Sequence, residues 1–288
     1  MSTLTLEFAH CRYRLTGLLP EQERHVRARF GALECPAALA PDVEIEVVQS
    51  PEPERFMARP IGPVEYRVEM AYGERQIAIA GIGFSAAIER ASFRTQMQTC
   101  LGDEWFLSAF ENLLRVVAAY RLFSVGALVI HSAALSDGER GFLFCGRSGA
   151  GKTTICVLAD TLRLTIFSDE LNAIVPSGES FSLQAMPFAG DFGGTPIRHP
   201  PFPLTGLLGL EHALVARLDT CSQAQAVSRI VASCPYLNAD PMVSEQLTER
   251  AVQLVDRIPL RVLSFATDTT FWSVLDHEYR IAQAALPR

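Results

Sequence analysis

The chain has 288 residues, 49% hydrophobic and 20% charged, and its 32 acidic against 25 basic side chains give a net charge of −7. That apolar share supplies a full core and excludes wholesale disorder, and the acidic balance argues against a nucleic-acid groove or an anionic membrane surface as the main partner. The length suits one large or two modest domains, at roughly 100–200 residues each.

Residues 1–100 read as a small β-rich domain for docking or substrate binding. Strand-like runs at Thr3–Phe8, Val43–Val48, Val64–Met70 and Gln76–Ala80 are separated by turn material at Pro51–Pro53, Gly62–Pro63 and Tyr72–Gly73. Glu21–Phe30 reads as a short helix. The first thirty residues mix charged and apolar side chains too finely for a signal peptide. The period then changes: Trp105, Phe106, Phe110, Leu113, Leu114, Val117 and Leu122 recur at helical spacing. That predicts a bridging helix within 101–125, ahead of a second domain over 126–288. The longest uncharged run, Leu122–Ser136, has 15 residues, short of the roughly 20 that cross a bilayer. The seven cysteines are scattered with no CxxC pair, which predicts reduced, core-type thiols and a cytoplasmic protein.

From Gly126 the pattern is strand (Ala127–Ile130), turn (Ser136–Gly138), strand (Gly141–Cys145), glycine loop (Gly146–Thr153), helix (Thr154–Asp160) and two strands (Leu164–Phe167, Leu171–Val175). Beyond Gln184 a segment rich in Pro and Gly reads as a loop to Pro203. Helices are predicted near Ser222–Ala232, Ser244–Arg257 and Thr270–Ala285.

The strongest signal is the run Gly146, Arg147, Ser148, Gly149, Ala150, Gly151, Lys152, Thr153, which matches GxxxxGK[ST] between a strand and a helix. Glycines let a backbone curl until its N–H groups meet phosphate oxygens at a helix N-terminus. In such a loop the lysine neutralises the β- and γ-phosphates and the hydroxyl ligates Mg²⁺. Of the 25 basic residues 24 are Arg, and the single Lys is Lys152. A composition that favours Arg so heavily keeps a lysine only where a compact ammonium is required. His131 lies 21 residues before Lys152, and Asp169 and Glu170 lie 17 and 18 residues after it, each at a predicted strand end. Paired acids beside a triphosphate suit a metal ligand and a base for an incoming hydroxyl.

His131-Ser132-Ala133-Ala134, Gly146 to Thr154, and Phe167-Ser168-Asp169-Glu170 together resemble the catalytic core of the HPr kinase/phosphorylase family. In that family a His-Gly pair precedes the phosphate loop and an Asp-Asp pair follows it. Phosphoenolpyruvate carboxykinase carries a similar loop and acid pair. The close resemblance spans about fifty residues, His131 to Val175, and a looser one reaches the C-terminus, nearest to the HPr-kinase-like proteins found beside peptide-modification genes. It implies an α/β fold: a P-loop core of mixed β-sheet with flanking helices, preceded by the small β-rich domain. It also implies a serine kinase using ATP and Mg²⁺ on a peptide or small protein, and, by the family's tendency to assemble, a homo-oligomer.

By that resemblance Gly146 through Thr154 bind ATP, with Lys152 on the phosphates. Thr153, Asp169 and Glu170 hold Mg²⁺, Asp169 is the base, and His131 stands near the transferred phosphate. Ser132 replaces the family's Gly, Thr154 an acid, and Glu170 an Asp. Two other readings stand beside it: a small-molecule or carboxykinase-like phosphotransferase, and a non-catalytic ATP-binding module. The loop Phe188–His199 suits a lid or peptide-binding segment, and its Arg198 suits a cis-supplied finger for transferred charge. His10, His25, His212 and His277 fit no usable spacing.

Overall fold

The structure, a computed structural model, describes residues 3–58, 68–193 and 199–284. Its Cα framework divides into two compact units. One comprises the described residues up to Ser124 together with Asp240–Met242, and the other begins at Val125. Both are mixed α/β.

In the first unit, strands β1 (Leu4–Phe8), β2 (Cys11–Thr16), β3 (Val43–Gln49), β4 (Glu69–Tyr72), β5 (Gln76–Gly81), β6 (Phe84–Glu89) and β7 (Thr95–Thr99) form one mixed sheet in the order β1-β2-β3-β7-β6-β5-β4. Alternation decides its faces: Cys11, Tyr13 and Leu15 of β2 point inward, and Arg12 and Arg14 outward. On β3, Val43, Ile45 and Val47 are buried while Glu44 and Glu46 are exposed. That is the signature of a sheet covered on one side. Helices α1 (Pro20–Phe30) and α2 (Glu104–Ser124) belong to the same unit, with Phe30 meeting Phe110 edge-on at 6.2 Å between ring centres. The apolar stripe on α2 is buried at Phe106, Phe110, Leu113, Leu114 and Val117, while Trp105 at its start stays partly exposed. Of the expected strand Val64–Met70, residues 64–67 lie outside the described residues, as does the turn Gly62–Pro63.

The second unit carries an eight-stranded mixed sheet. Its strands are β8 (Leu128–Ser136), β9 (Gly141–Cys145), β10 (Thr165–Ser168), β11 (Leu171–Ser177), β12 (Ser180–Ala185), β13 (Phe202–His212), β14 (Arg217–Thr220) and β15 (Leu260–Phe265). The order is β10-β8-β11-β12-β13-β15-β14, and β9 pairs with both β8 and β13. Helices α3 (Lys152–Thr161), α4 (Gln223–Ala232), α5 (Ser244–Arg257) and α6 (Thr270–Ala284) complete the unit. One core cluster joins Phe142 and Phe144 of β9, Ile155 and Ala159 of α3, Leu208 of β13 and Phe271 of α6. No helix among the described residues is long and apolar enough to cross a membrane. All seven cysteines are free, and Cys11, Cys145, Cys156 and Cys234 are buried.

Seven strands, β2, β6, β7, β12, β13, β14 and β15, occupy stretches where the sequence pattern points to no element. β13 runs parallel to β9 on one side and to β15 on the other. A strand covered on both faces reads as a continuous apolar run without alternation, and Pro203, Gly206 and Gly209 within it look like turn punctuation. Gly206 is there for space: a Cβ on it would come within 2.6 Å of the Phe142 ring.

The β8–β9 turn that feeds the glycine loop is pinned to α6 by Arg140. Its guanidinium donates to Asp137 at 2.8 Å and to Asp276 at 2.6 Å and lies over the Phe142 and Trp272 rings, 5.6 and 6.0 Å from their centres. Arg140→Met is expected to lower stability by about 1.5–3 kcal/mol, the worth of hydrogen bonds to charged groups. An unchanged urea midpoint would show that α6 is held by its apolar face alone.

Candidate functional site

β9 ends at Cys145 and the chain turns at once, with the Ala150 N–H donating to the Arg147 carbonyl at 3.0 Å. Gly149 has φ +77° and Gly151 φ +100°, left-handed values that cost a glycine little and other residues considerably more. Gly151 is the N-cap of α3. The N–H groups of Gly151, Lys152 and Thr153 meet no backbone acceptor among the described residues, as expected of a helix's first turn. Such orphan donors, aligned with the positive end of the helix dipole, form an anion site. Arg147, Ser148 and Gly149 are exposed, Ala150 and Thr154 are half-buried, and Lys152 is buried.

The Lys152 ammonium donates to the carbonyls of Gly146 at 3.2 Å and Arg147 at 3.4 Å. Burial pulls its pKa below the usual lysine value, and the neighbouring Glu170, Cys145 and Asp169 offset part of that loss. Removal from water raises the Cys145 thiol to about 11. A desolvated ammonium whose acceptors are two carbonyls is poised for a stronger anion.

Asp169 and Glu170 occupy a break between β10 and β11, which follow one another along the same edge of β8. Register places them opposite Ala133 and Ser132, since Ser168 pairs with Ala134 and Leu171 with His131. The sequence pattern placed these acids at the end of a strand, and the structure shows the strand interrupted and resumed. Within the break Ser168 Oγ accepts from the Glu170 N–H at 2.9 Å and donates to the Phe188 carbonyl at 2.6 Å. The break turns the two carboxylates to different partners. Asp169 is 4% exposed and accepts three hydrogen bonds: from the Thr153 hydroxyl at 2.8 Å, the Gly190 N–H at 3.0 Å and the Phe192 N–H at 2.9 Å. Glu170 Oε2 lies 3.8 Å from His131 Nε2, with side-chain exposures of 28% and 41%. The His131 N–H donates to the Ser233 carbonyl at 2.7 Å, beyond the C-terminal end of α4.

The fold therefore brings together the loop, Lys152, Thr153 and Asp169, and pairs Glu170 with His131. Arg198 lies outside the described residues. The described start of the loop Phe188–His199 is tied to Asp169 through Gly190 and Phe192. Two further positions join the site, Gly190 within the loop already singled out and His212, which carries no sequence signal. Gly190 matters because a Cβ there would stand 2.6 Å from Asp169 Oδ1. His212 ends β13 and places Nε2 at 2.9 Å from the Gly149 carbonyl.

Among the described residues no three His, Cys, Asp or Glu side chains gather as a self-contained metal cage. A magnesium site needs none, because Mg²⁺ typically takes one or two protein oxygens and completes its shell with water and substrate phosphates.

Gly190→Ala should force the Asp169 carboxylate and the loop amides apart. A stability loss of at least about 1.5 kcal/mol is expected, the low end for a hydrogen bond to a charged group. A variant that melts like the parent would show that the carboxylate does not hold this loop. Comparison with protein-family models and with curated proteins gives no match.

Proposed function

We propose that this chain is an ATP- and Mg²⁺-dependent kinase that transfers the γ-phosphoryl group to a serine hydroxyl of a peptide or small protein. The observation that supports this most is the 2.8 Å contact between the Thr153 hydroxyl and the Asp169 carboxylate beside a GxxxxGK[ST] loop. A loop Ser/Thr and a strand-borne acid are the pair that holds the metal in P-loop phosphotransferases. The resemblance to the HPr kinase/phosphorylase family points to the same chemistry.

The residues divide the work by their surroundings. The loop amides and Lys152 hold the phosphates. Thr153 and Asp169 would hold Mg²⁺, whose chemistry is to neutralise charge on the β- and γ-oxygens. An ionised carboxylate has about four acceptor positions, and Asp169 already uses three. One remains for a cation, and the Thr153 proton, held by Asp169, leaves the hydroxyl lone pairs free for the same ion. The base is therefore assigned to Glu170 and not to Asp169. As the acceptor oxygen bonds to Pγ and the bond from Pγ to the ADP oxygen breaks, the hydroxyl proton passes to Glu170. His131 steadies that carboxylate and offers an exit for the proton. The net charge of −7 favours a neutral or basic acceptor during encounter.

Lys152→Met is expected to abolish measurable ATP–Mg²⁺ binding in calorimetry while leaving the nucleotide-free protein as stable as the parent or more so, since a buried ammonium is removed. Undiminished affinity would overturn the phosphate-loop reading.

The two acids should separate in kinetics. Glu170→Gln should retain ATP–Mg²⁺ binding and lose roughly 10²–10⁴-fold in transfer, the usual contribution of a general base. Asp169→Asn should weaken binding in a way that excess Mg²⁺ partly restores. The opposite pattern would return the base to Asp169. Mass spectrometry of serine-containing peptides after incubation with ATP–Mg²⁺ reads the reaction. One added phosphate on serine is the expected result; phosphorylation of a free metabolite alone would favour a small-molecule kinase, and binding without transfer an ATP-sensing module.

A further inference from the structure

The turn that follows the first glycine of the loop has few restraints of its own. Arg147, Ser148 and Gly149 are exposed; among the described residues the turn is closed by the Ala150 N–H on the Arg147 carbonyl, which also accepts from the Lys152 ammonium at 3.4 Å. A peptide plane next to a glycine rotates cheaply, because no Cβ opposes either orientation. If the Gly149 carbonyl swung toward a bound phosphate it would set a negative dipole against the anion. The loop binds phosphate well only when that oxygen faces elsewhere.

His212 supplies a reason for it to do so. Parallel pairing of β13 with β15 sets His212 opposite Phe265, and the two rings lie 5.8 Å apart at a 30° tilt. The Ala213 N–H donates to the Phe265 carbonyl at 2.9 Å and fixes the strand end. The loop rests on these rings: a Cβ at Gly151 would stand 2.6 Å from the Phe265 ring and 3.4 Å from His212 Cε1. His212 Nε2 then reaches the Gly149 oxygen at 2.9 Å. A carbonyl can only accept, so Nε2 carries the hydrogen and donates it.

We propose that His212 is a positioning residue of the nucleotide site, whose Nε2–H holds the Gly149 carbonyl away from the phosphates and keeps the loop open for them. Phe265 is the floor that sets the ring's height. This rests on the nucleotide reading above, and it assigns a role in that site to a histidine 60 residues beyond Lys152 in the chain.

The test uses the full chain, calorimetric titration with Mg–ADP, and melting without nucleotide. His212→Phe keeps a ring against Phe265 and removes the donor. His212→Gln returns an N–H donor near the Nε2 position. A net hydrogen bond is worth roughly 2- to 10-fold in an equilibrium constant, so His212→Phe should weaken Mg–ADP binding by about that factor with unchanged melting. His212→Gln should recover most of the loss. Equal affinity in the parent and His212→Phe overturns the proposal, as does equal weakening in the Phe and Gln variants, or a loss of affinity matched by a lower melting temperature. A parent that binds no Mg–ADP would fail the nucleotide reading itself, and this proposal with it.

Discussion

The site depends on one hydrogen bond, from the Thr153 hydroxyl to the Asp169 carboxylate at 2.8 Å across 16 residues of sequence. It ties the first turn of α3 to the break between β10 and β11. The regular pairing with β8 is interrupted at Asp169 and Glu170, where the Glu170 carbonyl still accepts from the Ser132 N–H at 3.1 Å, and it resumes at Leu171. Once Asp169 faces α3, the Gly190 and Phe192 amides close over it. Burying a carboxylate is costly unless its oxygens are satisfied, and these three donors satisfy most of them. The same geometry leaves Glu170 facing His131, so one interruption of a strand gives two adjacent acids different surroundings.

Lys152 shows the complementary economy of charge. It is the one lysine among 25 basic residues, and its ammonium is buried with two loop carbonyls as hydrogen-bond acceptors. A guanidinium is wide, planar and forked, and it would not fit beneath a loop that wraps so closely. Desolvation lowers the pKa of the ammonium, and Glu170 and Asp169 counter part of that. A bound polyanion would reverse the penalty, so the free site keeps an unmet demand for negative charge. This is electrostatic preorganisation of the kind expected where charge is to be received.

Two of the three positions that differ from the HPr kinase/phosphorylase pattern the sequence resembles, Ser132 and Glu170, have local explanations. Ser132, in the place of a glycine, is buried; its hydroxyl donates to the Ile130 carbonyl at 3.0 Å and accepts from Asn172 Nδ2 at 3.2 Å. Asn172 also donates to the carbonyls of Ser132 at 2.8 Å and Ser168 at 3.2 Å. One amide thus braces β8 and the end of β10 around the acid pair. Glu170, one methylene longer than aspartate, extends to within 3.8 Å of His131.

The features legible in the residues alone are local. The glycine loop, its lysine and threonine, strand Gly141–Cys145, and helices such as Glu104–Ser124 and Ser244–Arg257 follow from spacing, period and residue type within a short window, and the structure has them at or within a few residues of those places. Strand β13 was not legible, because a strand covered on both faces has no alternation and its glycines serve packing and not turning. The division of Asp169 from Glu170 was not legible either, since it depends on which neighbour each carboxylate meets after the break. Gly190 falls in the loop Phe188–His199 that the sequence does mark, but its contact with Asp169 arises only when the segment past β12 folds back. His212 carries no sequence mark and meets the glycine loop only once β13 pairs with β9 and β15. Such contacts follow from how the strands register in space, because hydrogen bonds between residues 21, 23 and 63 apart in the chain lie beyond any local pattern.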